Sequence, residues 1–336
     1  MLNPNCCAIL GVGHALGSII RDNSDPVFDY IHAHPDPNSD IFAGLKYRRV
    51  LDAKQSVVTI MVDAAHHALA NANVQPEAIG LLIGAGSVSD NNAPNALAAV
   101  HANLQLPNTC RVLALNSEYT TFLDAMKIAN DMIAAGSITN ALVVCGTNWT
   151  QHMDYTESVC VAASDAAGAA VVGASADPSK FHLVDWDHET DTSYYGALRM
   201  APRLVDSSSA PPPRVFTNAT MKIDAATGRN AIMNFGIPAP PRVVARLLAR
   251  NEISAADMTL VPHQVATLIA EKWKTAIAPA LYVSTHEELA DMVSASVPVN
   301  LSLYFDMIPT NHLVLLGIGM EMNTTALLYS RTATNC

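Results

Sequence analysis

The sequence predicts a layered α/β fold, and two observations carry that prediction. Short apolar runs bounded by glycine, with the length of strands buried on both faces, alternate along the chain with helix-length stretches rich in Ala, Leu and Met. Half of the 336 residues are hydrophobic and only 15% are charged, so there is apolar surface enough for a large core. A single core stops growing at roughly 250–300 residues, so the length predicts two domain-sized units or one large double unit.

The elements follow in order. Residues 7–12, 79–84 and 141–145 read as buried strands, and 57–72, 93–104 and 122–135 as the helices between them. The Ser/Pro segment 207–213 reads as a surface loop, because a proline run cannot pair inside a sheet. Internal similarity refines the picture. Thr139-Asn140-Ala141-Leu142-Val143-Val144 is echoed by Thr310-Asn311-His312-Leu313-Val314-Leu315 at an offset of 171, and residues 74–83 are echoed by 253–262 at an offset of 179. The two echoes come in the same order. They predict related βα halves, 1–175 and 176–336, packed about a pseudo-twofold axis.

Composition also excludes. The formal charge of −11 opposes a phosphate backbone, so no nucleic-acid partner is expected. No apolar run has the ~18–20 residues of a membrane helix, and the start lacks the basic region of a signal peptide, so a cytoplasmic protein without a membrane partner is expected. Six cysteines without a CxxC pair read as reduced core residues, with Cys6-Cys7 at a strand start and Cys145 and Cys160 beside strands. His32/His34 and His66/His67 lack a carboxylate at helical spacing, so no metal site is expected. Gly11, Gly13 and Gly17 imitate a dinucleotide loop, but the third glycine comes one residue late.

Several motifs carry a resemblance: Ile9-Leu10-Gly11-Val12-Gly13-His14, Gly44-Leu45-Lys46-Tyr47-Arg48-Arg49, residues 122–144, Ser164 to Val171, Leu260-Val261-Pro262-His263-Gln264 and Ser294-Ala295-Ser296-Val297-Pro298. Through them the chain resembles the thiolase-fold condensing enzymes, most closely the β-ketoacyl-ACP synthase III branch, across nearly its whole length. The resemblance implies duplicated βα halves in a five-layer αβαβα arrangement, a dimer formed through the edge strand near 141–145, and a Cys-His-Asn triad acting on acyl thioesters. Its histidine is matched by His263. The gapless match through Phe122 puts Tyr119 at the cysteine position, and counting back from Pro298 puts Asp291 at the asparagine; the two lie 172 residues apart, close to the offset of the repeats.

A phenol with a pKa near 10 is a poor acyl acceptor beside a thiol of about 8.5, so Tyr119 reads either as a plug or as a catalytic hydroxyl. Asp291 accepts hydrogen bonds but donates none, which suits orienting His263 as general base. Ser117 is a substitute nucleophile if the local chain rearranges. Glu118 is either an acid or base raised by burial, or an orienting hydrogen bond in a dimer interface. Backbone N–H groups at Tyr119 and Gly319 would hold an oxyanion. The aromatic and arginine platform that holds coenzyme A in the family is missing from 38–43. Arg242, Arg246 and Arg250 recur at i, i+4 and i+8, as a docking stripe for an acidic carrier protein or as a solvated face.

The expected function is therefore acyl transfer in a specialised fatty-acid or polyketide-type pathway, from an acyl carrier protein or acyl-CoA, with the phosphopantetheine thioester as substrate and no further cofactor. The alternative is an inactive partner subunit of a heteromeric condensing complex. Either acts as a homodimer or a heterodimer.

Overall fold

The computed structural model describes residues 6–36, 40–91, 93–205 and 215–331, excepting the side chains of 201–205, 215–219 and Ala225. The loop expected at 207–213 lies outside the described residues. In chain order the strands are β1 (Cys7–Leu16), β2 (Ile19–Asp22), β3 (Tyr47–Val50), β4 (Leu81–Ser87), β5 (Arg111–Ala114), β6 (Asn140–Thr147), β7 (Ala166–Ala174), β8 (His182–Thr190), β9 (Leu198–Val205), β10 (Val215–Ile223), β11 (Met258–Pro262), β12 (Leu281–Tyr282), β13 (His312–Ile318) and β14 (Asn323–Ser330). The helices are α1 (Asp29–Ala33), α2 (Val57–Ala72), α3 (Leu97–Asn103), α4 (Thr121–Ala134), α5 (Ala225–Ala231), α6 (Ala239–Arg250), α7 (Thr267–Ile277), α8 (His286–Leu289) and α9 (Ser296–Tyr304).

The α2 limits are those read from the sequence, for a local reason. Val57, Ile60, Met61, Ala64, Ala65, Ala68 and Leu69 are buried at i, i+3, i+4, i+7, i+8, i+11 and i+12, one continuous apolar stripe. Ser56 and Thr59 form a capping box at its start, and Asn73 ends it in the left-handed conformation. Helix α3 starts later than the expected 93, because the Asn95 side-chain oxygen Oδ1 accepts both the Gly86 and Leu97 N–H groups and holds the preceding residues in a turn. Gly11 and Gly13 serve packing. A Cβ on Gly13 would lie 2.3 Å from the Ala64 carbonyl oxygen of α2, so these glycines let β1 and α2 meet backbone to backbone.

The large sheet runs β12-β11-β13-β14-β8-β1-β7-β6-β4-β5. Read outward from its centre, β1-β7-β6-β4-β5 is matched by β8-β14-β13-β11-β12, the same connectivity twice. The echoed segments 139–144 and 310–315 are the equivalent strands β6 and β13, and those at 74–83 and 253–262 lead into β4 and β11. The halves touch at the Ala8–His182 pair and at the Ile9 N–H bond to the Phe181 carbonyl. One correction follows. Strand β6, expected at a dimer edge, is an interior strand between β4 and β7, and the free edges belong to β5 and β12.

The layers form the thiolase fold. Helices α2 and α3 cover one outer face, α6 and α7 the other, and α4 and α9 lie between the two half-sheets. Phe122, Leu123, Met126 and Ile133 of α4 and Val297 and Leu301 of α9 pack against Ile9, Ile83 and Val143 from one half and Val261, Leu315 and Leu327 from the other. Full burial of each such side chain stabilises the fold by about 1.5–3 kcal/mol. The middle layer is therefore a core common to both halves. No helix among the described residues is long and apolar enough to cross a membrane.

Candidate active site

Strand β11 delivers His263 just past its C-terminal end, where the His263 N–H donates to the Leu316 carbonyl of β13 at 2.7 Å. Tyr119 sits in the turn Glu118–Thr120 that leads into α4, and Asp291 sits in the segment that leads into α9. Because α4 and α9 are the paired helices of the middle layer, their leading turns pack together beside His263. The Tyr119 ring is 4.7 Å from the His263 ring and 5.5 Å from Trp149, both edge to face. His263 Nε2 lies 3.6 Å from Asp291 Oδ1.

Asp291 is firmly held. Its N–H donates to the Ala162 carbonyl at 2.8 Å, its own carbonyl accepts from the Ser164 N–H at 3.0 Å, and Oδ1 accepts from the Val293 N–H and the Ser296 hydroxyl at 2.8 and 3.3 Å. Gln264 braces the same loop by donating to the Ala290 carbonyl and accepting from the Thr285 N–H and hydroxyl. The carboxylate meets Nε2 beyond hydrogen-bond distance, while His263 Nδ1 is buried without a partner. In a relay triad the carboxylate bonds the nitrogen remote from the substrate. Here carboxylate and Nε2 stand side by side, so Asp291 is an electrostatic neighbour of the reacting nitrogen and not a support behind the ring.

Tyr119, His263, His286 and Asp291 line a cavity of about 510 Å³, whose apolar wall includes Ile41, Val161, Met221, Ile223, Leu268 and Ile318. Burial raises the Tyr119 pKa well above its ordinary value, and the Asp291 and Glu118 charges add to the effect, so the phenol is neutral. Burial lowers the His286 pKa, with His263 and Arg48 acting the same way and Asp291 opposing, so this imidazole is held neutral at pH 7. Among the described residues, no group of three or more His, Cys, Asp or Glu side chains is arranged to hold a metal ion.

The other expected residues are placed as follows. The Ser117 hydroxyl bonds the Asp124 carboxylate and does not line the cavity. Glu118, at φ 44, turns its buried carboxyl to the Ser87 hydroxyl at 2.6 Å, and that oxygen accepts from the Trp149 indole N–H at 2.9 Å. Burial raises the Glu118 pKa despite the Ser87 bond. Gly319 lines the cavity, but its N–H is spent on the Asn323 carbonyl at 2.7 Å, which corrects the expectation of an oxyanion donor there.

The arginine stripe is also revised. Arg242 pairs with Glu189, Arg246 with Asp187 and Glu189, and Arg250 with Asp185 and Asp187. Helix positions four apart rise about 6 Å and strand positions two apart about 6.6 Å, so α6 and β8 match rung for rung. With its charge neutralised by three carboxylates, the stripe is a brace between helix and sheet and not a free basic surface. None of the described cysteines lines the cavity; burial pushes Cys110 and Cys160 up to about 11 and Cys145 up to about 12.

Sequence reasoning missed His286. It lies five residues before Asp291 in the acidic run His286-Glu287-Glu288, which reads as solvated. Contacts far apart in the chain hold its loop against the cavity: Gln264 to Thr285 and Ala290, and the Lys46 N–H to the Glu287 carbonyl. The described part of the platform segment, 40–43, holds no tryptophan or arginine and puts Asp40, Ile41 and Ala43 on the cavity wall.

A family profile described as 3-oxoacyl-[acyl-carrier-protein (ACP)] synthase III matches residues 114–192, from the end of β5 to just beyond β8. A β-ketoacyl-[acyl-carrier-protein] synthase III of Rubrobacter xylanophilus is 26% identical over 326 residues, covering 96% of this chain and 97% of that protein. One from Sphingopyxis alaskensis is 27% identical over 265 residues, 77% and 78% of the two chains. Among solved structures, the priming β-ketosynthase of the R1128 polyketide biosynthetic pathway superposes with a TM-score of 0.82 at 22% identity, covering 96% of both chains. A variant of Xanthomonas campestris OleA gives 0.82 at 22% identity, covering 97% and 98%. These likenesses establish the thiolase fold and support a ketosynthase III-like chain.

Proposed function

We propose that the protein is a ketosynthase III-like acyltransferase that passes an acyl group from a carrier-protein or CoA thioester directly to a nucleophile activated by His263, without an acyl-cysteine intermediate. One observation carries this reading: the neutral Tyr119 ring stands against His263 where relatives are expected to present a thiol, and no described cysteine reaches the cavity. In the proposed step the acceptor atom attacks the thioester carbonyl carbon, His263 takes its proton, and the C–S bond breaks. The proton then passes to the departing thiolate. Asp291, 3.6 Å from Nε2, stabilises the imidazolium formed on the way. The Tyr119 backbone N–H and phenol would hold the carbonyl oxygen as charge develops.

The test is intact-mass spectrometry after incubation with acyl-ACP or acyl-CoA, with release of free thiol followed in parallel. Thiol release without a mass adduct, abolished in His263→Ala, is the expected result. A stable adduct on Ser117 or a cysteine would overturn direct transfer. The same Tyr119 ring favours a second reading, an inactive subunit completing a dimer with an active paralogue. Native mass spectrometry after co-expression with related ketosynthases decides it, since an exclusive heterodimer with a cysteine-bearing partner would displace the enzyme reading.

A further inference from the structure

The cavity has an unusual charge balance. Asp40 and Asp291 line it, and among the described residues no Lys or Arg does. The Arg48 guanidinium is buried behind the wall, donating to the Val161 carbonyl and the Asn23 side chain and stacked on Phe28 and Phe42. Lys46 is paired with Glu287 and Glu288. A carboxylate or phosphate entering this space would lose its hydration and meet no cation among the described residues, which is costly for a buried charge. The polar end holds Tyr119, His263 and His286, and both imidazoles are more than nine-tenths buried with an unpartnered Nδ1. Buried polar groups are nearly always hydrogen-bonded, so unpaired rings lining a cavity point to a polar group that a ligand brings.

Each unpartnered Nδ1 donates or accepts according to its tautomer and the phenol can do either, so a group that does both, as a hydroxyl does, suits every arrangement of the three. Asp291 Oδ1 is engaged by Val293 and Ser296 and faces His263, and an ammonium held by the carboxylate's other oxygen would have no lone pair with which to attack a thioester. We propose that the cavity binds an uncharged hydroxylated apolar molecule, its hydroxyl against His286 and His263 and its chain along Ile41, Val161, Met221, Ile223 and Ile318. This names the acceptor of the transfer proposed above and, as a substrate assignment, rests on that reading. The alcohol oxygen forms the ester bond, the thioester C–S bond breaks, and the hydroxyl proton leaves through an imidazole to the thiolate.

Binding needs no turnover, so the two ideas fail separately. Isothermal titration of the full chain at pH 7.5 with 1-octanol, octanoate and octylammonium compares three head groups on one tail. Octanol is expected to bind at least tenfold more tightly than either ion. His286→Phe is expected to weaken octanol about fivefold, the scale of one lost hydrogen bond, with His286→Gln restoring most of the loss. Equal or tighter binding of octanoate or octylammonium, no binding of octanol, or octanol binding indifferent to His286→Phe would each overturn the proposal. Octanol preference in a protein that never releases thiol would leave the binding site standing and sink the transferase.

Discussion

Replacing Tyr119 by cysteine tests the geometry on which the site depends. The ring is 9% exposed and wedged edge-on between Trp149 and His263. Removing it forfeits two aromatic contacts, worth about 0.5–1.5 kcal/mol each, together with most of the burial of a large side chain. Aromatic truncations in a core cost about 3–5 kcal/mol; a thiol refills part of the space, so about 2–4 kcal/mol is expected for Tyr119→Cys. At about 2 °C per kcal/mol for a chain this large, the melting temperature should fall by roughly 4–8 °C. The new thiol would line the cavity beside the imidazole, where a thiolate is far more accessible than a phenolate. Iodoacetamide should therefore modify position 119 faster than any of the described, buried cysteines, and acyl-CoA should leave an acyl adduct there. A variant that melts within 1 °C of the parent and resists alkylation would show that the ring does not stand where the mechanism needs it.

Three further outcomes follow. Glu118 has its carboxyl pKa raised by burial, so it favours the protonated form; this contribution is present at low pH and lost as pH rises through the raised value. Glu118→Gln should therefore gain thermal stability relative to the parent between pH 5 and 8, and a pH-independent difference by calorimetry would contradict the buried placement. In the helix-strand brace, hydrogen bonds from Arg242 hold Glu189 below its ordinary 4.5, and those from Arg246 outweigh burial and hold Asp187 below 3.8. Their stabilisation is present above those values and lost as pH falls below them. Arg246→Ala, 42% exposed, should cost only about 0.5–1.5 kcal/mol in urea unfolding at pH 7, with the difference shrinking as pH falls below 3.8. Gly13→Ala drives a methyl into the α2 backbone and should abolish soluble expression; a well-folded variant would refute the β1–α2 contact.

Much of the frame was legible in sequence because its signals are local. The α2 stripe and caps lie within 18 residues, and the echo between β6 and β13 survives because both strands are buried on two faces and admit few residue types. His263, Tyr119 and Asp291 were found because motif spacing fixes where a helix begins. What escaped depends on partners far apart in the chain. Arg250 meets Asp185 across 65 residues, so the stripe looked free, although Asp185, Asp187 and Glu189 alternate as one face of a strand should. Edge and interior strands have similar composition when a helix layer covers both, so β6 was misplaced. The His286 loop is held by Gln264 and Lys46 from distant parts of the chain, and a side chain's direction across a loop has no periodic signature.

The paired position of α4 and α9 separates two tasks of the middle layer. Each half contributes one helix start to the seam, one bringing a phenol and the other a carboxylate, so the cavity end they form belongs to neither half alone. Their framework contacts are made by other residues of the same helices. A substitution at either helix start therefore reshapes the cavity while the core that joins the halves stays in place.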